Sequence, residues 1–266
     1  MKRTLIVGNW KMHLTIHEAS LLTHRLGQRI QVHRDIEVVL APSTLCLQPL
    51  SLEIDRRKFR LAAQDAYFKD EGPYTGEVSF AMLQDLVHYC IIGHSARRIY
   101  FGETLETVRD KVQAAVRNGI TPILCIGETK EERRAGETRQ VIHDQLTTAL
   151  ANLTSEDIRD IVVAYEPVWA ITTFGGEVSK PDDMAKAMKF IRNQIKELYG
   201  EQASQEVRLL YGGSVDDHDA RAYLEIDGCD GVLVGAASLN YQQFSNIVDS
   251  AYQLLNERAK GHGDEA

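Results

Sequence analysis

The chain has 266 residues, 44% of them hydrophobic and 26% charged, with a formal net charge of -8. Its length permits one large core or two small domains. The acidic balance argues against nucleic acid as a partner, and it means that any site for an anionic substrate must be local, built from backbone N–H groups and one or two cations.

The first apolar run, TLIVGN (4–9), precedes an amphipathic stretch of helical length at 17–30, and IEVVLA (36–41) precedes one at 44–55. FRLAAQ (59–64) precedes 79–87, YCIIG (89–93) precedes 104–118, and ITPILC (120–125) precedes 131–151. IVVAY (161–165) leads to 182–199, VRLLY (207–211) to 217–225, and GVLVG (231–235) to 241–257. Most of the runs are rich in Val, Ile and Leu without polar alternation, as in parallel strands buried on both faces. Thr104 is placed to open one helix, and Pro181 with two aspartates after it opens another. Eight such alternations give an α/β chain with a parallel sheet, and eight repeats favour closure into a (β/α)8 barrel over an open sheet. No long linker or low-complexity segment interrupts the pattern. One domain over residues 1–258 is expected, with a frayed tail at 259–266.

None of the four cysteines, Cys46, Cys90, Cys125 and Cys229, falls in a C-x-x-C pair. Three lie in or beside apolar runs and read as buried small hydrophobes in a reducing compartment. The apolar run near the start covers only Leu5 to Val7, too short for a signal segment, and no stretch approaches the roughly 20 apolar residues of a membrane span. A cytoplasmic protein with no membrane partner is expected.

Several runs end in small or polar residues: Asn9, Gln64, Gly93, Glu166, Tyr211 and Gly235. In a barrel these ends share the C-terminal face, where active sites sit. YEPVW (165–169) puts Glu166 at such an end, where partial burial would let a carboxylate serve as a general base. IIGHSARR (91–98) puts His94 there, with Ser95 able to cap a short helix; a helix N-terminus disfavours imidazolium, and a neutral imidazole can polarise a carbonyl. GNWKM (8–12) offers Lys11, two residues beyond Asn9, to offset charge on an enediolate and a phosphate. YGGSV (211–215) and VGAAS (234–238) could present the N–H groups of Ser214, Gly235 and Ala236 to a phosphate. Taken singly, each has a plain alternative: a rim salt bridge, a turn histidine, a solvated lysine, a simple Gly-Gly turn. His13 and His17 have i, i+4 spacing, but no acidic partner with ligand spacing accompanies them and no metal is expected. The mixed-sign run EERRAGETR (131–139) reads as a solvated helix face.

From residue 4 to about 255 the chain resembles the triosephosphate isomerase family. GNWKM, AQD (63–65), YTGEVS (74–79), IIGHS, CIGET (125–129), AYEPVWAI (164–171), YGGSV and DGVLVG (230–235) occur in that family's order. The resemblance implies an aldose–ketose isomerase that interconverts D-glyceraldehyde 3-phosphate and dihydroxyacetone phosphate through an enediolate, with no cofactor. Glu166 would be the base, His94 would polarise the carbonyl and move a proton between the two oxygens, and Lys11 and Asn9 would stabilise the enediolate. A glutamate base beside a neutral histidine, and a lid that closes over them, are known features of this family. Segment 167–178 would be the lid, hinged at Pro167, Val168 and Trp169, and Glu128 a structural acid. YTGEVS would reach into a neighbouring subunit, with Thr75 near that subunit's Lys11, which implies a homodimer.

The chain departs from the family at several points. Ala96 stands where a glutamate usually steadies the lysine, and His13 where asparagine is common. Thr172 replaces a lid glycine whose N–H binds phosphate, Phe174 replaces a small residue, and Gly175 and Gly176 stand in the second hinge. Ala236 replaces a glycine, and would be strained if its φ had to be positive. A paralogue acting on a tetrulose phosphate such as L-erythrulose 1-phosphate, in sugar-alcohol catabolism, therefore remains an alternative. So does a non-catalytic dimeric barrel scaffold. A phosphate epimerase would call for a metal cluster at the strand ends, which the sequence does not offer.

Overall fold

A computed structural model describes residues 2–176 and 179–261. The eight apolar runs form eight strands. They are β1 (Thr4–Asn9), β2 (Ile36–Ala41), β3 (Phe59–Ala63), β4 (Tyr89–Ile92), β5 (Thr121–Ile126), β6 (Val162–Tyr165), β7 (Arg208–Tyr211) and β8 (Gly231–Val234). All neighbours pair in parallel, and β8 pairs back onto β1, with Leu5 opposite Gly231, so the sheet is a closed (β/α)8 barrel. Closure explains why the runs lack polar alternation. Leu5 and Val7 face the barrel interior with Val39, Ile91, Ile123 and Leu210, while Ile6 packs outward among the helices. Most strand residues are dry on both faces, the exceptions including the ion-paired Glu37, Arg60 and Arg208.

The outer layer begins with α1 (Ile16–Arg29), α2 (Thr44–Glu53), α3 (Phe80–Leu83), α4 (Ser95–Phe101) and α5 (Leu105–Arg117). It continues with α6 (Lys130–Ala135), α7 (Thr138–Ala149), α8 (Ser155–Arg159), α9 (Pro181–Glu206), α10 (Ala220–Leu224) and α11 (Tyr241–Gly261). The Thr104 hydroxyl accepts from Thr107 N–H to open α5, and Pro181 is the first residue of α9, both as expected from their chemistry.

Several boundaries differ from the sequence pattern, and of the stretches 79–87 and 217–225 only Phe80–Leu83 and Ala220–Leu224 are α-helical. The stretch 131–151 is two helices, because Gly136 turns left-handed (φ 77°) and ends α6. Helix α9 continues past 199 after a break at Gly200 (φ 88°). The short α8 between α7 and β6 has too few residues to show a period. The last helix runs to Gly261, beyond the boundary at 258, and residues 262–266 of the expected tail lie outside the described residues.

Candidate active site

Asn9 ends β1 buried, and its Oδ1 accepts from the Lys11 N–H at 3.1 Å. Lys11 itself is left-handed, with φ 52°. For a lysine that conformation costs about 1–3 kcal/mol, so the surroundings must enforce it. They do: Gln64 Nε2 donates to the Lys11 carbonyl at 2.8 Å and to Ala41 O at 2.9 Å, closing the turn onto β2. The turn carries the lysine toward the end of the neighbouring β8, where its Cε lies 3.9 Å from the position a Cβ on Gly235 would occupy. Among the described residues no carboxylate pairs with its ammonium group.

His94 follows β4 and is itself the cap of α4. Its Nδ1 accepts from the Ala96 N–H at 3.1 Å, so Ser95 is the first helical residue and not the cap. An Nδ1 that accepts carries no proton, which puts the proton of the neutral ring on Nε2. Burial holds His94 below the usual imidazole range; the nearby Glu166 opposes this, and Lys11 and Arg98 add to it.

Glu166 follows β6, with 2% of its surface exposed. Its Oε1 is 3.3 Å from His94 Nε2, and its Oε2 accepts from the Ser95 N–H at 3.3 Å. The chain can place it there only because of two glycines. A Cβ on Gly127 would meet Glu166 O at 1.9 Å, and one on Gly212 would meet Glu166 Cγ at 2.7 Å.

The segment after Glu166 is moored to a buried carboxylate. Val168–Ala170 form a 3-10 turn, Trp169 Nε1 donates to Glu128 Oε1 at 2.9 Å, and the Tyr165 hydroxyl lies 3.2 and 3.1 Å from the two Glu128 oxygens. Burial pushes the Glu128 carboxyl up, against these hydrogen bonds. The Arg133 guanidinium covers the Trp169 ring at 3.9 Å and bonds Asp183 at 2.9 Å. The run 131–139 is therefore not merely a solvated face. Farther along, the Thr172 hydroxyl lies 2.7 Å from that of Ser214, and the Phe174 ring lies 5.5 Å from that of Tyr100. Two residues of the expected lid, Glu177 and Val178, lie outside the described residues.

One cleft of about 380 Å³ gathers these groups. Asn9, Lys11, His94 and Glu166 line it together with Thr172, Ser214, Gly235 and Ala236. Ala236 opens the 3-10 turn Ala236–Leu239 without a positive φ, so the anticipated strain does not arise. The Ser214 N–H, expected to face a phosphate, donates here to Ala170 O at 3.1 Å. Thr75 stands away from the cleft, exposed on a loop pinned by the Tyr67–Tyr74 ring contact at 4.7 Å. His13 lines the cleft while His17 lines a separate one, and only His17 lies on α1. Among the described residues no group of three His, Cys, Asp or Glu is arranged to hold a metal.

Arg98, Gly127 and Arg133 escaped the sequence reading as parts of the site, and Gln64 entered it only as a strand end. Arg98 ties the ends of β4 and β5 together by donating to Gly93 O at 2.7 Å and Cys125 O at 2.8 Å. Gly127 lies in CIGET and Arg98 in IIGHSARR, runs that carried a signal, whereas Arg133 stood in a run read as a solvated face.

A buried carboxylate facing an Nε2–H, with a cation and a glycine-bearing turn across the cleft, suits proton transfer beside a carbonyl on an anionic substrate. A family model for triosephosphate isomerase matches residues 4–251. The chain belongs to the triosephosphate isomerase family. It is 44% identical over 249 residues to the triosephosphate isomerase of Citrifermentans bemidjiense, covering 93% of this chain and 98% of that one. It is 41% identical over 253 residues to that of Chloroherpeton thalassium, covering 94% and 100%. The triosephosphate isomerase of Carboxydothermus hydrogenoformans is 41% identical over 249 residues, covering 93% and 98%. These matches run the full length of the barrel and carry the triose name, so they do not favour the tetrulose alternative.

Proposed function

We propose that this chain is an aldose–ketose isomerase that interconverts D-glyceraldehyde 3-phosphate and dihydroxyacetone phosphate. The observation that carries this reading is the Glu166–His94 pair. A buried carboxylate lies 3.3 Å from an imidazole Nε2 whose other nitrogen is committed to a backbone N–H. Glu166 removes the proton from the carbon beside the carbonyl while His94 Nε2–H donates to the carbonyl oxygen. The electron pair moves into an enediolate, whose negative charge Lys11 and Asn9 offset. Glu166 then returns the proton to the neighbouring carbon, and His94 passes the hydroxyl proton between the two oxygens. The substrate phosphate sits at the other end of the cleft, among the N–H groups of Thr172, Ser214, Gly235 and Ala236. The described part of the expected lid, residues 167–176, closes over it from the hinge Pro167–Trp169 and excludes water.

A homodimer accompanies this reading. Met12, Tyr74, Met82, Tyr100 and Phe101, all exposed, lie in segments that follow β1, β3 and β4, and Thr75 lies in the second of these segments. Apolar surface of this extent suits a partner of the same kind; a monomer in sedimentation equilibrium at micromolar concentration would exclude it. A cytoplasmic location is supported by four free cysteines, and no helix among the described residues is long and apolar enough to cross a membrane.

The test is a parallel assay of kcat/KM on dihydroxyacetone phosphate and L-erythrulose 1-phosphate, repeated with Glu166→Gln. The triose is preferred, and the variant loses roughly 10²–10⁴-fold in kcat while inorganic phosphate still binds. Turnover of the variant close to that of the parent would remove Glu166 as the base.

A further inference from the structure

The hydroxyls of Thr172 and Ser214 form a chain whose direction is fixed by counting protons. Ser214 Oγ lies 2.7 Å from Ala170 O. A carbonyl only accepts, so Ser214 gives its single hydroxyl proton there. Thr172 Oγ1, 2.7 Å from Ser214 Oγ, must then be the donor in the next link. The Ser214 N–H also donates to Ala170 O, at 3.1 Å. Three bonds thus clasp residues 170–172 to the turn after β7, and both donors of Ser214 serve the lid base and not the cleft.

We infer that Thr172 is a positioning residue that sets the phosphate affinity of the cleft by holding Ser214 against Ala170. This rests on the reading of the cleft as a phosphate site. A phosphate oxygen that takes the Ser214 N–H displaces Ala170 O. The Ser214 hydroxyl then reorients, and the Thr172 bond is lost with it. The two hydroxyl bonds form a chain in which the Thr172 donor polarises the Ser214 hydroxyl, and the Ser214 N–H shares the Ala170 oxygen that this hydroxyl holds, so the outermost bond helps to keep Ser214 seated there. Thr172 is exposed, and water competes for its hydroxyl, which places the bond in the lower part of the range for hydrogen bonds. Removing it shifts the competition toward phosphate by roughly 2- to 5-fold.

The experiment titrates inorganic phosphate calorimetrically into the parent protein, Thr172→Val and Thr172→Ser. Valine keeps the β-branched shape and loses the hydroxyl; serine keeps the hydroxyl. Phosphate is expected to bind Thr172→Val roughly 2- to 5-fold tighter. Thr172→Ser should match the parent, and KM for dihydroxyacetone phosphate should fall in Thr172→Val without a matching rise in kcat. Unchanged affinity in Thr172→Val overturns the inference. So does weaker binding, which would make the hydroxyl a direct phosphate ligand, and so does a parent that binds no phosphate. The calorimetry needs no turnover. An inactive parent that shows the affinity shift overturns the isomerase reading and leaves Thr172 its role, whereas an active parent without the shift does the reverse.

Discussion

Gly127→Ala is a small substitution at a place where the barrel leaves no room. The added Cβ would lie 1.9 Å from Glu166 O, 2.5 Å from Glu166 C and 3.2 Å from Pro167 N. Ordinary contact begins at 3.4 Å, so the nearest approach must open by 3.4 - 1.9 = 1.5 Å. Gly127 cannot easily retreat, because the buried Gln145 amide holds its N–H at 2.8 Å and its carbonyl at 3.1 Å. The Glu166–Pro167 backbone therefore gives way, and the carboxylate moves with it by about 1 Å, which costs on the order of 10² in rate for a group that must meet a reacting atom. Overpacking adds roughly 1–3 kcal/mol of lost stability. The assay pairs kcat and KM on dihydroxyacetone phosphate with a urea melt and a phosphate titration. A folded variant is expected, with kcat down about 100-fold and phosphate affinity within about 2-fold of the parent, since Ser214 and Gly235 hang from other strands. A folded Gly127→Ala protein with kcat within about 3-fold of the parent would refute the idea that this close approach positions the base.

Two further outcomes follow from the buried groups. His94 titrates below its ordinary value of 6.5 in the folded chain because burial disfavours the charged ring. Between those two values the unfolded chain binds more protons, so His94's contribution to stability is full above 6.5 and is lost as the pH falls below it toward the folded value. Urea midpoints of the parent from pH 8 to about 5 should thus fall more steeply than those of His94→Gln, and parallel curves would show that the ring is not buried neutral. Trp169→Phe keeps an aromatic face under Arg133 but takes the Nε1–H from a fully buried Glu128, at an expected cost of roughly 1–3 kcal/mol. Unchanged denaturation would mean that another donor replaces the indole.

The strands were legible because closure buries most of their residues on both faces, leaving eight mainly apolar runs, broken by charge at Glu37, Arg60 and Arg208, that differ from the observed strands by a residue or so at their ends. The helices were less so. The stretch 131–151 contains no proline and reads as one helix, and only the left-handed turn at Gly136 divides it, a conformation that one glycine permits but does not announce. Arg133 looked like any charge on a solvated face because its partners, Trp169 and Asp183, are far away in sequence. Gly127 and Gly212 are demanded by the proximity of Glu166, which is a property of neighbouring strands and is invisible along either strand alone.

Lys11 shows how a departure read as a defect can be absorbed locally. With alanine at position 96, nothing anionic among the described residues holds the ammonium group, and from the sequence its orientation was in doubt. The structure holds the backbone instead. Asn9 Oδ1 takes the Lys11 N–H, Gln64 grips its carbonyl, and the residue is fixed at φ 52°. A lysine whose Cα and Cβ are directed this way enters the cleft beside Gly235 with only its own rotamers left to settle, at a side-chain entropy cost of at most about 2 kcal/mol. Position 96, for its part, keeps a function that needs no side chain: its N–H is the donor that fixes the His94 tautomer. The loss of an acid there removes a partner for Lys11 while leaving intact the backbone groups that orient both Lys11 and His94.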